Sequence, residues 1–217
     1  MSEARLEILN NIRKSLTAGE PKTSQRTSEL RARLKYTAPQ IQPGFTDDNL
    51  TRFCEKHVAV HGTYEFIKLV DIEAAVLQYL QGLDIDPQIH LGAGPCLDQV
   101  KWSEGVFTYK KSADKNTRVA VSEAFAAVAE TGTLVMCSGS DLLPSHNFLP
   151  DDHIVIVDCD RIVRYQEDVW PLLRTGDHFP QRAINLITGP SKTGDIEQTI
   201  QYGAHGPRRL HVLIVKD

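Results

Sequence analysis

The stretch His153–Asp158 reads HIVIVD, and its four central residues, Ile154 to Val157, are aliphatic without a polar break. A strand with one wet face alternates apolar and polar side chains. One that is apolar at every position is buried on both faces, which favours a largely parallel sheet covered on both sides. A second run of this kind, RLHVLIV, follows at 209–215. These two runs restrict the fold more than any other feature.

The segments around them fit the same frame. From Thr46, TDDNLTRFCEKH opens with a Thr-Asp-Asp helix start, and an extended segment runs through Tyr64 to Leu69. Ile72, Ala75, Val76, Tyr79, Leu80 and Leu83 then fall at helical spacing, a stripe shaped to lie on a sheet. QIHLGA is a short strand ending at Gly92 and Gly94, where a tight turn or a polar ligand fits. TRVAVSEAFAAVAETGTLVMCS reads as strand, short Ala-rich helix, glycine turn and strand. EDVWPLLR is a helix whose Pro171 fits in the first turn if the helix starts near Asp168 and kinks it otherwise, AINLIT a strand, and GDIEQTIQYG a further segment with a helix start near Asp195. This alternation predicts an α/β fold, an open, mostly parallel sheet flanked by helices, with no internal repeat.

With 217 residues, 41% of them hydrophobic, the chain can bury one substantial core with a small appendage. The appendage is residues 1–45. Ile8, Ile12 and Leu16 with Leu9 form one stripe on a first helix, which implies a surface elsewhere to receive it, on a partner or a second subunit. Residues 17–45 are polar, carry Pro21, Pro39 and Pro43, and read as a linker with a short helix around Glu29–Leu34. Residues 46–217 are the globular domain.

A net charge of -4 with scattered Lys and Arg argues against nucleic acid as a partner, and the cluster Arg26, Arg31, Arg33 and Lys35 reads as a solvated face. No apolar run approaches the roughly 20 residues of a membrane helix, and no signal-peptide core is present, so no membrane span and a cytoplasmic location are expected. The four cysteines, Cys54, Cys96, Cys137 and Cys159, lack C-x-x-C spacing, so neither zinc nor an iron–sulfur cluster is indicated. Cys137 and Cys159 end apolar runs and are expected as small buried hydrophobes.

Ligands of open α/β sheets collect at the carboxyl ends of strands, which directs attention to loops that leave a strand. In TGPSKTGDIE, Gly189 and Gly194 let the backbone turn its N–H groups inward beside Pro190, Ser191 and Thr193 add hydroxyls, and Lys192 adds a cation. A helix from Asp195 would add its positive end. Turn chemistry accounts for the same residues: Asp195 with Gln198 makes a capping box, and Gly189-Pro190 an ordinary turn. The motif is neither the G-x-x-x-x-G-K-[ST] phosphate loop nor G-x-G-x-x-G.

In AETGTL, Gly132 supplies a turn between Thr131 and Thr133, and Glu130 is either a functional carboxylate or a solvated terminal charge. In GAHGPRRLHV, His205 and Gly206 precede Arg208 and Arg209; His205 can donate to an anion or move a proton, and it serves equally as a turn residue. His153 and His211 read as packing residues. Neither H-E-x-x-H nor G-x-S-x-G occurs, and no metal site is expected.

Taken together, AVAETGTLVM, LPDDHIVIVDCDRIV and TGPSKTGDIEQTIQYGAHGPRRLHVLIV resemble the lactate-utilisation protein C family, whose unit is the LUD domain. The resemblance covers residues 46–217 and is specific in the C-terminal half; before Lys115 it rests on the order of elements. It implies a fold akin to the NagB/RpiA sugar-phosphate isomerases and coenzyme A transferases. It also implies a part in oxidising L-lactate to pyruvate beside two iron–sulfur partners, lactate-utilisation proteins A and B, with no cofactor in this chain. The coenzyme A transferases of this fold use a glutamate nucleophile, and Glu130 of ETG looks similar. The middle loop CSGSDLLPSHNFLP is shorter than the family's and carries only Gly139, which speaks against a ligand as large as a nucleotide.

Three functions follow from this reading. One is a non-redox subunit of a lactate-oxidising complex whose 131–133, 189–195 and 205–208 loops converge on a small carboxylate or phosphate. The second is a standalone isomerase or acyl transferase using Glu130. The third is a scaffold that docks its partners through residues 1–45.

Overall fold

A computed structural model describes residues 3–17, 24–35, 42–139, 143–175, 181–193 and 201–216. They fall into two compact units, 1–44 and 45–217. The first holds α1 (Glu3–Thr17) and α2 (Ser24–Lys35). The α1 stripe residues Ile8, Ile12 and Leu16 are exposed. α2 spans 12 residues, where the sequence predicted only a short helix near Glu29–Leu34.

The second unit is built on six strands: β1 (Thr63–Ile67), β2 (Gln88–Leu91), β3 (Phe107–Tyr109), β4 (Val119–Glu123), β7 (Asp152–Asp158) and β12 (Arg209–Val215). They lie in the order β1-β12-β7-β4-β2-β3, and every neighbouring pair is parallel. The open parallel sheet that the two aliphatic runs require is therefore present, with those runs, β7 and β12, adjacent at its centre. Their side chains point alternately to two cores. Ile154, Ile156, Leu213 and Val215 face α4 (Ile72–Gly82), which buries Ile72, Ala75, Val76 and Leu80 against them. Val155, Val157, Val212 and Ile214 face the opposite way, onto Phe53 of α3 (Asn49–Ala59) and Leu134 and Met136. Each fully buried aliphatic side chain contributes about 1.5–3 kcal/mol, so these two cores dominate stability.

The second face departs from the expectation of helices alone. It is covered by α3 together with a four-stranded sheet, ordered β8 (Ile162–Val163), β5 (Ala126–Val128), β6 (Thr133–Cys137) and β9 (Ile184–Ile187). The Ala-rich segment expected as a helix is the strand β5, paired antiparallel with β6 across a tight turn. Ala126, Ala127, Val128 and Ala129 have no exposure, because the parallel sheet lies on one side of them and α5 (Val169–Thr175) on the other. Small side chains let the layers approach closely, and burial overrides alanine's helix propensity.

Asp48 caps α3 by accepting from the Thr51 amide at 3.0 Å, as the Thr-Asp-Asp start predicts. Two cysteine assignments change: Cys54 is the buried one, while Cys137 and Cys159 are half-buried. Among the described residues, no helix is long and apolar enough to cross a membrane.

Candidate functional site

The glycine-bearing turns singled out from the sequence gather at one corner, and that corner lies at the amino edge of the parallel sheet. The expectation of a carboxyl-edge site failed because β9 is outside the parallel sheet. It runs antiparallel to β6, so the loop leaving it returns to the starts of β1 and β12. The contacts are specific. Thr133 Oγ1 bridges Thr131 Oγ1 at 2.6 Å and Thr188 Oγ1 at 2.7 Å, tying the 131–133 turn to the end of β9. The Ser191 amide donates to the Pro207 carbonyl at 2.8 Å, its own carbonyl accepts from the Gly203 amide, and its hydroxyl accepts from the His205 amide. Gly206 packs against Ser191, and the Arg208 amide donates to Asp151 at the start of β7.

Gly132 and Gly189 take positive φ angles of 70° and 76°; Gly132 presses on the last turn of α3 and Gly189 on Val60, which caps it. A Cβ on Gly132 would lie 2.6 Å from the His57 amide nitrogen, and one on Gly189 2.6 Å from the Val60 carbonyl oxygen. Only glycine fits either place. These close approaches are backbone on backbone, and the Gly132 amide is used by Val128. The amides of Gly132, Ser191, Gly203 and Arg208 are engaged within the protein. The groups that face outward are side chains: Lys192, His205 and Arg208 are exposed, and none forms an ion pair with a described residue.

Lys192 and Thr193 form β10, paired antiparallel with β11 (Gln201–Tyr202). Gly194 and Asp195 lie outside the described residues, as does the helix start proposed at Asp195. Pro190 is buried. Glu130 sits in the β5–β6 turn, half-buried, with its amide on the Arg164 carbonyl.

Below this corner lies a buried polar chain that the sequence did not reveal. His57 is fully buried, stacks on Phe53 at 5.5 Å, and has no hydrogen-bond partner for either ring nitrogen among the described residues. Its loss of solvent lowers its pKa, outweighing the pull of the nearby Gly132 and Thr63 backbone. His211 Nδ1 bonds Thr63 Oγ1 at 2.8 Å, and its ring stacks on Tyr79 at 4.7 Å. Burial, with His57 adding to it, pulls its pKa down to about 4. Tyr79 in turn donates to Asp152 at 3.2 Å, and burial first, then the Asp152 charge, raises its pKa. Asp152 has no exposure and is held by Arg209, with Arg118 Nε at 3.5 Å. These groups pin the amino edge together.

At the opposite edge, the chain leaves β2 toward β3 but leaves β4 toward β7, which makes the gap between the carboxyl ends of β2 and β4 the topological switch point of the sheet. Crevices at such points are where open α/β sheets hold ligands. Glu123 ends β4 there. Its carboxylate accepts from the amides of Cys96 and Leu97 at 2.8 and 3.0 Å, and burial raises its pKa although both bonds oppose the shift. On the other face of β4, Gly92, Ser122, Cys137, His146 and Asn147 line a small hollow. Gly92 was legible in advance as a place for a ligand or turn; Ser122, Glu123 and His146 carried no local motif. Among the described residues, the one grouping with metal-ligand proximity is Asp158, Cys159 and Asp160, and Asp158 is occupied in capping the Asp160 amide at 2.9 Å.

Comparison with known proteins agrees with this architecture. The model of the LUD domain matches residues 47–215. Lactate utilization protein C of Bacillus subtilis strain 168 is 34% identical over 118 residues, 52% of this chain and 48% of that protein. The protein of the same name from Halalkalibacterium halodurans is 28% identical over the full length of both. For several of these relatives, the first among them included, the matched part is about half of their length. A crystal structure of a DUF162-family protein from Deinococcus radiodurans superposes with a TM-score of 0.57 at 19% identity, over 80% of this chain and all of that one, and shares the fold. The match across 47–215, on an open parallel sheet of this topology, makes the chain a member of the LUD domain family.

Proposed function

We propose that this protein is the non-redox subunit of an L-lactate utilisation system, and that its amino-edge corner docks an iron–sulfur partner. Relatives named lactate utilization protein C, one of them aligned from end to end, support the pathway. The observation that carries the docking role is the corner itself. The Ser191, Gly203 and Arg208 amides and the Thr131, Thr133 and Thr188 hydroxyls are bonded within it, so it is braced internally, and what it presents outward is charge: Lys192, His205 and Arg208 on loops fixed by Ser191. Exposed cations on a rigid support suit an acidic protein surface, which they attract over a distance set by ionic strength. The electrons of lactate oxidation reside in the partners, and this subunit assembles and positions.

Co-purification of the full chain with the two iron–sulfur partners tests this reading. Lys192→Glu with Arg208→Glu should abolish co-purification and lactate-dependent growth, and raised salt should weaken the native complex. Undiminished association would remove the docking role. Calorimetry of the isolated protein with pyruvate and inorganic phosphate separates the competing outcome: binding lost in the same double variant would make the corner a small-anion site.

A further inference from the structure

We infer that the hollow at the carboxyl edge is a receptor for an alcohol hydroxyl, with His146 Nδ1 as its hydrogen-bond acceptor. Gly92 beyond β2, Ser122 in β4, Cys137 at the end of β6 and His146 with Asn147 in the turn Pro144–Asn147 line it. Its free space is about 10 Å³, room for one water or one hydroxyl and no larger group.

The chemistry follows from the histidine's second nitrogen. His146 Nε2 lies 2.9 Å from the Lys111 carbonyl oxygen, which can only accept, so in the neutral ring Nε2 carries the proton. That leaves Nδ1 as a bare lone pair. The residue is 1% exposed, and Nδ1 has no partner among the described residues. A buried acceptor without a donor is costly, and the cost is removed by a ligand that brings an O–H. Ser122, 3% exposed, lines the same hollow with its hydroxyl 3.0 Å from His153 Nε2. With His153 donating, Ser122 can turn its own proton to the entering oxygen.

The site therefore distinguishes an alcohol from the corresponding ketone. A hydroxyl donates to Nδ1 and accepts from Ser122, whereas a keto oxygen can only accept and leaves Nδ1 unpaired. A site that bonds a hydroxyl rejects an analogue that lacks it far more strongly than a missing methylene is rejected. For a 2-hydroxy acid this means binding the reduced form in preference to the oxidised one. The choice of L-lactate as a probe rests on the function proposed above; the hydroxyl site itself does not.

Long-range ¹H–¹⁵N spectra of the full chain, labelled in its histidine rings, test the inference, with the His146 signals assigned from His146→Gln. The free protein should show His146 protonated at Nε2. Methanol and L-lactate, each offering one hydroxyl to the hollow, should each move the Nδ1 resonance saturably toward hydrogen-bonded values, and pyruvate should not. L-Lactate should bind at least about tenfold tighter than pyruvate. A His146 protonated at Nδ1, a resonance unmoved by both alcohols, or equal shifts with L-lactate and pyruvate would each overturn the site. A shift with methanol and none with L-lactate upholds the hydroxyl receptor while removing lactate as its ligand. Loss of partner co-purification in the Lys192 and Arg208 variants bears on the docking role alone.

Discussion

Arg209 holds Asp152 with two guanidinium nitrogens, Nη2 at 2.9 Å from Oδ2 and Nε against Oδ1, where the carboxylate has no contact with water. The two residues open the adjacent central strands β12 and β7 and face each other across the ladder. An ion pair of this kind is costly to break from one side only, because the remaining charge stays buried. Arg209→Ala should lose about 3 kcal/mol in urea denaturation, near the lower end for such pairs since Arg118 Nε remains at 3.5 Å. The double variant with Asp152→Asn should recover part of that loss.

Acid should destabilise the protein through its histidines. Burial lowers the pKa of His57, His90, His153 and His211. Burial pulls His153 down to about 3 and His211 to about 4, so both stay neutral in the fold while the unfolded chain takes up protons below the ordinary value of 6.5. A group with a depressed folded pKa of this type costs stability as pH falls through its unfolded pKa. Each should subtract about 1.4 kcal/mol per pH unit from 6.5 down to its folded value, so stability at pH 5.5 should be lower by about 3 kcal/mol than at pH 7.5. Urea midpoints across this range check the slope, and His211→Asn should reduce it by about 1.4 kcal/mol per pH unit.

Thr133→Val removes the hydroxyl that joins Thr131 to Thr188. Both partners are exposed and can bond water instead, so the cost should be modest, about 1 kcal/mol, read as a fall in Tm of about 2–4 °C. The 131–133 turn should also exchange its amide hydrogens faster.

Gly132→Ala should be far more damaging than its one added methyl implies. The residue has φ of 70°, and the methyl would meet the His57 backbone nitrogen at 2.6 Å, which no side-chain rotation relieves. A loss of about 2–4 kcal/mol is expected by thermal denaturation.

What the sequence revealed and what it hid have a common physical basis. Local patterns report burial: the aliphatic runs of β7 and β12 and the stripe Ile72–Leu80 were legible because periodicity records which faces are dry. The pairing of β9 with β6 was not, since it depends on segments about fifty residues apart, and it decided which edge of the parallel sheet received the Ser191 loop. The Ala-rich β5 misled because alanine's helix preference is weak beside enclosure between two layers. The hollow was invisible for a related reason. Gly92, Ser122, Cys137 and His146 share no motif and meet only through the strand order.

That order has a consequence for synthesis. β12 lies between β1 and β7, and Thr63 meets His211 across 148 positions of chain. On a ribosome adding roughly 5–20 residues per second, the earliest strand of the domain waits about 7–30 s for the neighbour that closes it. Ile67, buried in the finished sheet with Leu213 and Val215, stays uncovered meanwhile, and the central slot beside β7 is filled last. The nascent domain therefore needs protection from aggregation until its closing strand clears the exit tunnel, however stable the finished sheet.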